Sequence, residues 1–149
     1  MKIKIYPDTS VFGGVFDKEF SEWSNQLFDE FSLGNIRMMI SDLTLRELEA
    51  ALDIVRAVLN KIPTRFIDYV FLDEEAKLLA EKYILEQVVP DRFLLDAQHI
   101  AFASMNRVDI LVSWNFKHIV NFSRIRLYNA INLKYGYPML EIRSSREVI

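Results

Sequence analysis

The chain alternates short apolar runs with longer amphipathic segments, and this order constrains its fold more than any other feature. Strands are predicted at residues 2–6, 36–40, 66–72, 109–113 and 139–142. Helices are predicted between them, at residues 19–33, 42–61, 73–86, 94–106 and 123–135, with a loop at 88–93. Strands that alternate with helices are typical of an α/β fold with a mostly parallel sheet. We therefore expect one domain over residues 1–149.

The composition excludes several classes of site. The chain has no cysteine, so it has no disulfides, zinc–thiolate centres or thiol nucleophiles. Its first residues lack the apolar core of a signal peptide. No apolar stretch approaches the roughly 18–20 residues needed to cross a bilayer. We expect a cytoplasmic protein with no membrane association.

The net charge of −3, with a pI near 5.4, counts mildly against a nucleic-acid-binding protein. Such proteins usually carry a basic surface that attracts phosphate groups. Divalent cations bound at one site would restore positive charge where it is needed. The overall charge therefore does not exclude a nucleic-acid substrate.

Four polar residues stand where predicted strands or helices begin or end: Asp8, Glu47, Asp96 and Asn115. In a parallel sheet, sites gather outside the carboxyl ends of the strands, so folding can bring these side chains together. Clustered carboxylates that lack an opposing Arg or Lys repel one another unless a cation joins them. Carboxylates are preferred ligands of hard divalent ions. The pattern predicts a metal site suited to phosphodiester chemistry.

Two of these residues, Asp8 and Glu47, could have a local structural role in place of a role in a metal site. Asp8 could form a turn after Pro7 or cap a short helix. Glu47 could close a capping box with Thr44. Helical geometry instead aligns Glu47 with an apolar row that includes Ala51 and Ile54, which would aim it toward the interior.

The other two residues have local alternatives as well. Asp96 could complement the positive end of a buried helix, and Asn115 could form a turn. The amide carbonyl of Asn115 could instead serve as a neutral oxygen ligand. His99 is expected to be a packed residue bonded to the backbone or to Asp96, and His118 to contact a phosphate oxygen.

Four motifs, taken in order, carry a resemblance to a known family. They are Ile5-Tyr6-Pro7-Asp8-Thr9-Ser10, Ser41-x-x-Thr44-x-x-Glu47, Leu95-Asp96-Ala97-x-x-Ile100-Ala101 and Leu111-Val112-Ser113-Trp114-Asn115. Together they resemble the motifs of the PIN domain, the metal-dependent ribonuclease fold that includes the VapC toxins of prokaryotic toxin–antitoxin pairs. The resemblance covers essentially the whole chain.

The resemblance implies a three-layer α/β/α sandwich around a mostly parallel sheet. It also implies that Asp8, Glu47, Asp96 and Asn115 form the catalytic site and bind Mg²⁺ or Mn²⁺. The family's fourth acidic position commonly carries Asp, and Asn115 removes one charge there, so a second metal should bind more weakly. The expected reaction is hydrolysis of single-stranded RNA. Hydroxyls on three residues and one imidazole are expected to contact the ligands or the RNA: Thr9, Thr44, Ser113 and His118.

Two functions other than a ribonuclease share part of this pattern. A phosphatase of the haloacid-dehalogenase type also places Asp after its first strand, but it needs a second Asp two residues later, where this chain has Ser10. The closer alternative is a catalytically weak or inactive PIN-like binding module. Expected partners are RNA, an antitoxin protein and a second copy of the chain in a homodimer.

Overall fold

The structure is a computed structural model that describes residues 2–149. The strands are β1 (Lys4–Pro7), β2 (Arg37–Ser41), β3 (Ile67–Val70), β4 (Ile110–Val112) and β5 (Glu141–Arg143). The helices are α1 (Thr9–Gly14), α2 (Ser21–Leu33), α3 (Asp42–Glu49), α4 (Asp53–Asn60), α5 (Glu74–Leu85), α6 (Leu94–Met105), α7 (Phe122–Lys134) and α8 (Ser145–Val148). None of the helices within residues 2–149 has the length and apolar character needed to cross a membrane.

All five strands form one parallel sheet in the order β3-β2-β1-β4-β5. The chain builds β1, β2 and β3 outward in one direction and then returns to add β4 and β5 on the other side of β1. The connections that follow β1 and β4 therefore leave in opposite directions. This reversal makes a topological switch point at the carboxyl ends of these two strands, the place where ligands bind in open α/β sheets, and we call this place the crevice.

Helices cover both faces of the sheet because strand side chains alternate between the faces. Tyr6 and Leu111 point into a core formed mainly with α5, α6 and α7. Ile5 and Val112 point into a second core formed mainly with α1, α2 and α4. The predicted parallel sheet and the three-layer α/β/α sandwich are both confirmed.

The prediction of a single helix over residues 42–61 is wrong, because the structure has two helices there, α3 and α4. Leu52 adopts an extended backbone (φ −62°, ψ 149°) between α3 and α4. Arg56 Nη1 donates hydrogen bonds to the carbonyl oxygens of Glu49 and Ala51, at 3.0 and 2.6 Å. These bonds satisfy carbonyl groups that the end of α3 leaves without intrahelical partners.

The aromatic residues on and before α2 pack internally. Phe28 and Phe31 are buried in the second core. Phe20 stacks on Trp114, with 4.1 Å between ring centroids. Trp23 also lies near Trp114, so Phe20 and Trp23 join α2 to the segment after β4.

Gly14, at the end of α1, lies in close contact with the same region. Trp114 Nε1 donates a 2.8 Å hydrogen bond to Ser24 Oγ. A Cβ atom on Gly14 would lie 2.7 Å from each of these two atoms. Only glycine fits at this position without displacing its neighbours.

Candidate functional site

Asp8 lies in the crevice between β1 and β4. Its backbone N–H continues the strand pairing by donating to the carbonyl of Val112 (3.0 Å). Ser113 Oγ donates to Asp8 Oδ2 at 2.6 Å, and Ser10 Oγ donates to Asp8 Oδ1 at 2.5 Å. The backbone N–H of Ser10 also donates to Oδ1, so Asp8 is the N-cap of α1 as well as a residue of the crevice.

The carboxyl group of Asp8 is buried, and this burial raises its pKa above the ordinary value. The positive charge of His99 and the hydroxyls of Ser10 and Ser113 act in the opposite direction, and the charge of Asp96 raises the pKa further. The net shift is upward. Asp8 is therefore a carboxylate held in an environment that disfavours its charge.

Glu47 points into the same region from α3. The cap of α3 is Ser41, whose Oγ accepts a hydrogen bond from the N–H of Thr44, so the alternative of a Thr44–Glu47 capping box is wrong. Glu47 Oε1 instead accepts hydrogen bonds from Thr9 Oγ1 at 2.9 Å and from His99 Nε2 at 2.6 Å. The neighbouring Glu49 is exposed to solvent.

His99 is buried between Glu47 and Tyr6. Its Nδ1 lies 2.6 Å from the hydroxyl of Tyr6. That hydroxyl is also within hydrogen-bond distance of Ser41 Oγ (2.8 Å) and Thr44 Oγ1 (3.1 Å). The role of Tyr6 was not predicted, because its alternation pattern indicates only a strand residue.

The hydrogen bond between His99 and Glu47 shifts both pKa values. Burial disfavours the charged imidazole, but the hydrogen bond and charge of Glu47, with the charges of Asp8 and Asp96, raise the pKa of His99 overall. Burial also disfavours the charged form of Glu47, yet His99 and Thr9 lower its pKa overall. The raised pKa favours the charged imidazole, whose two N–H groups would donate to Tyr6 and to Glu47.

Asp96, in the first turn of α6, contacts Asn115 from the segment after β4. Asn115 Nδ2 donates to Asp96 Oδ2 at 3.3 Å. Asn115 Oδ1 accepts hydrogen bonds from the backbone N–H groups of Lys117 and His118, at 3.2 and 3.0 Å. The amide oxygen therefore organises a turn, and the amide nitrogen faces the carboxylate.

Partial burial raises the pKa of Asp96 above its ordinary value. The charge of His99 and the hydrogen bond from Asn115 oppose this shift, and the charge of Glu47 adds to it. The three carboxylates of Asp8, Glu47 and Asp96 therefore share one electrostatic environment centred on a single imidazole.

Three of the four other residues expected to contact substrate have protein partners, and His118 differs from them. Thr9, Thr44 and Ser113 donate to or accept from Glu47, Tyr6 and Asp8, as described above. The ring of His118 is buried, and neither of its nitrogens has a hydrogen-bond partner in the structure. Phe93 covers it, with 3.8 Å between ring centroids.

The three carboxylates have the chemistry to bind a hard divalent ion, but their arrangement in the structure does not form a complete binding site. Asp8, Glu47 and Asp96 supply oxygen donors, and their mutual repulsion favours a bound cation. Over residues 2–149, however, no three acidic or histidine side chains converge on one point that could hold a metal ion. The reason is local, since Glu47 is turned toward His99 and Thr9.

Comparisons with known proteins add information on the fold. No protein-family model matches the chain, and no curated protein is similar to it in sequence. Among solved structures, VapBC-1 from nontypeable Haemophilus influenzae matches with a TM-score of 0.59 and 16% identity, covering 97% of this chain and 99% of the other. DNA-bound VapBC from Salmonella typhimurium matches with a TM-score of 0.57 and 19% identity, covering 96% and 98%.

A third match is VapC20 from Mycobacterium tuberculosis, described as a toxin that cleaves the sarcin-ricin loop, with a TM-score of 0.56 and 14% identity over 76% of this chain and 92% of the other. At sequence identities this low, the structural similarity establishes a shared fold and nothing further. The PIN-like fold of the VapC proteins, which the sequence motifs resemble, is therefore confirmed for this chain.

Proposed function

We propose that this protein is a metal-dependent endoribonuclease of the PIN type, which hydrolyses phosphodiester bonds in single-stranded RNA. The observation that carries this proposal is the placement of Asp8, Glu47 and Asp96 around one buried imidazole, beside the crevice between β1 and β4. A structural role alone would not require three carboxylates so close that their charges disfavour one another. The fold shared with a toxin described as cleaving the sarcin-ricin loop supports the same reaction class.

Mg²⁺ or Mn²⁺ is the cofactor in this proposal. Asp8 and Asp96 would hold it, and Glu47 would join them by giving up its hydrogen bond to His99. When bound, such an ion supplies a water of lowered pKa and offsets the negative charge of the scissile phosphate. Asn115 contributes no charge, so we propose that this chain binds a second ion more weakly than a site with Asp at that position would.

Hydrogen bonds within the protein hold the carboxylates of this site in fixed orientations in the absence of metal. Ser10 and Ser113 donate to the two oxygens of Asp8 and fix the orientation of its carboxylate. Tyr6 fixes the ring of His99, which in turn holds Glu47. Asn115 donates to Asp96 and so limits how far that side chain can turn. Fixed carboxylates lower the reorganisation needed when charge develops during phosphodiester cleavage.

The decisive experiment assays a labelled single-stranded RNA with metal-free protein, with added Mn²⁺ or Mg²⁺, and after chelation. Cleavage that requires the metal and stops on chelation is expected. A 5′-phosphate on the downstream product would match hydrolysis by a metal-activated water. Metal binding measured by calorimetry with no cleavage of any RNA offered would overturn the proposal.

A binding module without catalysis is the second candidate, and Asn115 is the observation that favours it. Its side chain donates to Asp96 and accepts from the turn that follows β4, so it is integrated structurally without adding a charge. A haloacid-dehalogenase phosphatase remains disfavoured because Ser10 donates to Asp8 where that chemistry needs a second acid.

A protein partner belongs to the proposal as well. Two of the matched structures described above are VapBC complexes. We propose that an antitoxin inhibits this protein by inserting an Arg or Lys among Asp8, Glu47 and Asp96, since a basic side chain would satisfy the same carboxylates as a metal. A homodimer is also proposed, and sedimentation measurements would test it.

A further inference from the structure

Three cationic residues lie near His118, next to the acidic residues but separate from them. Arg92 lies on the 3₁₀ turn Asp91–Phe93, before α6. Lys117 follows β4, and Arg124 lies in the first turn of α7. We call Arg92, Lys117 and Arg124 the basic cluster. Three separate segments of the chain contribute to it.

The charges of the basic cluster are not neutralised by carboxylates in the part of the chain that the structure describes. None of its three members takes part in an ion pair among residues 2–149. Arg92 lies over the ring of Phe93 (4.9 Å to the centroid), and Arg124 donates to the carbonyl of Val88. The side chain of Lys117 is exposed and makes no hydrogen bond within residues 2–149. Unpaired cations at one place in a chain of net charge −3 indicate an anionic ligand.

His118 provides an independent sign of a ligand. His118 is 4% exposed, and neither ring nitrogen has a hydrogen-bond partner among residues 2–149. A neutral imidazole carries one N–H donor, and a buried donor without an acceptor is unfavourable. Burial and the charges of Arg124, Lys117 and Arg92 lower the pKa of His118, so the ring is neutral near pH 7. A phosphate oxygen would supply the missing acceptor once the ring of Phe93 moves aside.

The basic cluster adjoins the candidate active site through Asn115. The amide oxygen of Asn115 accepts from the N–H groups of Lys117 and His118, and its nitrogen donates to Asp96. Helix α7 begins beside the cluster and has no acidic residue in its first turn, so its positive end adds to the local potential. Cations and carboxylates therefore lie side by side along the crevice.

We propose that Arg92, Lys117 and Arg124 bind a backbone phosphate of the single-stranded RNA substrate outside the scissile position, with His118 beneath that phosphate. This inference rests on the proposed function and extends it to the substrate's backbone. Phosphodiester RNA is the ligand whose chemistry suits both neighbouring surfaces. Its backbone charges match the cations, and the bond to be cleaved meets the carboxylates. Contacts of this kind position a strand without reading its sequence.

Binding of a fluorescently labelled single-stranded RNA of mixed sequence, measured by anisotropy in EDTA, tests this inference. Without divalent metal no cleavage interferes, and binding is measured independently of catalysis. Arg92→Glu and Lys117→Glu are each expected to weaken binding at least about fivefold and to lower the slope of log K against log salt by about 1. Lys61→Glu is the matched control, because Lys61 is exposed between α4 and β3, near the opposite edge of the sheet. It should change binding less than twofold.

The outcomes separate this inference from the proposed function. Equal weakening by all three substitutions, or no weakening by Arg92→Glu and Lys117→Glu, would overturn the phosphate site even if Mn²⁺-dependent cleavage is observed. Selective weakening with no cleavage under any metal would retain the site and remove the nuclease. Tighter binding of a single-stranded DNA of the same sequence than of the RNA would also overturn the assignment. Circular dichroism checks folding, and Arg92→Gln with Lys117→Gln replaces the charge reversals if either unfolds.

Discussion

Glu47 and His99 are separated by 52 positions in the chain, yet His99 Nε2 lies 2.6 Å from Glu47 Oε1. This contact raises the pKa of His99, and the charged imidazole offsets part of the charge of three carboxylates. It acts as an internal cation at the place where we propose that a metal binds. Several consequences of this arrangement can be measured.

We predict that His99→Gln lowers the melting temperature of the metal-free protein, because three carboxylates lose the positive charge that offsets them. Mn²⁺ should then raise the melting temperature of the variant more than that of the unchanged protein. Thermal unfolding with and without Mn²⁺ measures both effects. His118→Gln is the matched control, since neither ring nitrogen of His118 has a hydrogen-bond partner among residues 2–149. Equal Mn²⁺ shifts in the His99→Gln variant and the unchanged protein would contradict the prediction.

Asp96→Asn is expected to reduce Mn²⁺-dependent cleavage at least about a hundredfold, more than is typical for a residue outside the ligand shell. Its melting temperature should stay the same or rise, because the folded protein raises the pKa of Asp96 and so disfavours its charge. Initial cleavage rates and thermal unfolding measure the two effects. Asp29→Asn, an exposed carboxylate on α2, serves as the control. A large loss of stability with unchanged activity per folded molecule would identify Asp96 as a helix cap instead.

Asn115→Asp should tighten Mn²⁺ binding, because it adds a charge beside Asp96. In the metal-free protein it replaces an N–H donor to Asp96 Oδ2 with a second carboxylate oxygen. The free energy of unfolding without metal should therefore fall by about 1 kcal/mol. Calorimetric titration with Mn²⁺ and chemical denaturation in EDTA test these two parts. If Mn²⁺ binding is no tighter, Asn115 does not belong to a metal site.

The carboxylate of Asp68 connects three strands near the amino edge of the sheet, and we predict that it contributes a pH-dependent stability. Hydrogen bonds from Arg37, at 2.6 and 3.1 Å, lower the pKa of Asp68, and Lys4 adds to the shift. A lowered pKa means that the stabilisation is present above the ordinary pKa of 3.8 and is lost as the pH falls through the folded-state value.

Asp68→Asn should therefore lower the free energy of unfolding by about 0.5–1 kcal/mol near neutral pH, the range expected for partly exposed ion pairs. The difference between the variant and the unchanged protein should vanish in acid. Denaturant titrations across a pH series measure it. A difference that persists unchanged at the lowest pH would assign the effect to packing.

The order of the elements could be predicted from the sequence, because each strand and long helix carries its own periodicity. Asp8 and Asn115 were also expected at one edge, since both follow strands of a parallel sheet. The break between α3 and α4 could not be predicted. Leucine spacing continues across residues 50–52, no Gly or Pro interrupts it, and the contacts of Arg56 that stabilise the break form only in the folded chain.

The details of the candidate site depend on long-range packing. Whether Glu47 bonds to Thr44 or to His99 is decided by the position of α6 relative to α3, which local sequence does not encode. The same holds for Tyr6, whose hydroxyl meets His99 only after β1 is placed against α6. The alternative that Asp8 caps a short helix is confirmed by α1. The short helix α8 was not predicted because segments of this length show no measurable periodicity.

The close packing at Gly14 restricts how the segments on either side of it can move relative to each other. Trp114 and Ser24 leave no gap there, so the segment that begins at Asp8 and the one that carries Asn115 are held in a fixed spatial relation. A displacement of either segment must carry the other along, and the crevice between them resists being widened. A ligand that binds here would therefore find little room for backbone movement beside Gly14, and reaching the imidazole of His118 would require displacement of the Phe93 ring that covers it.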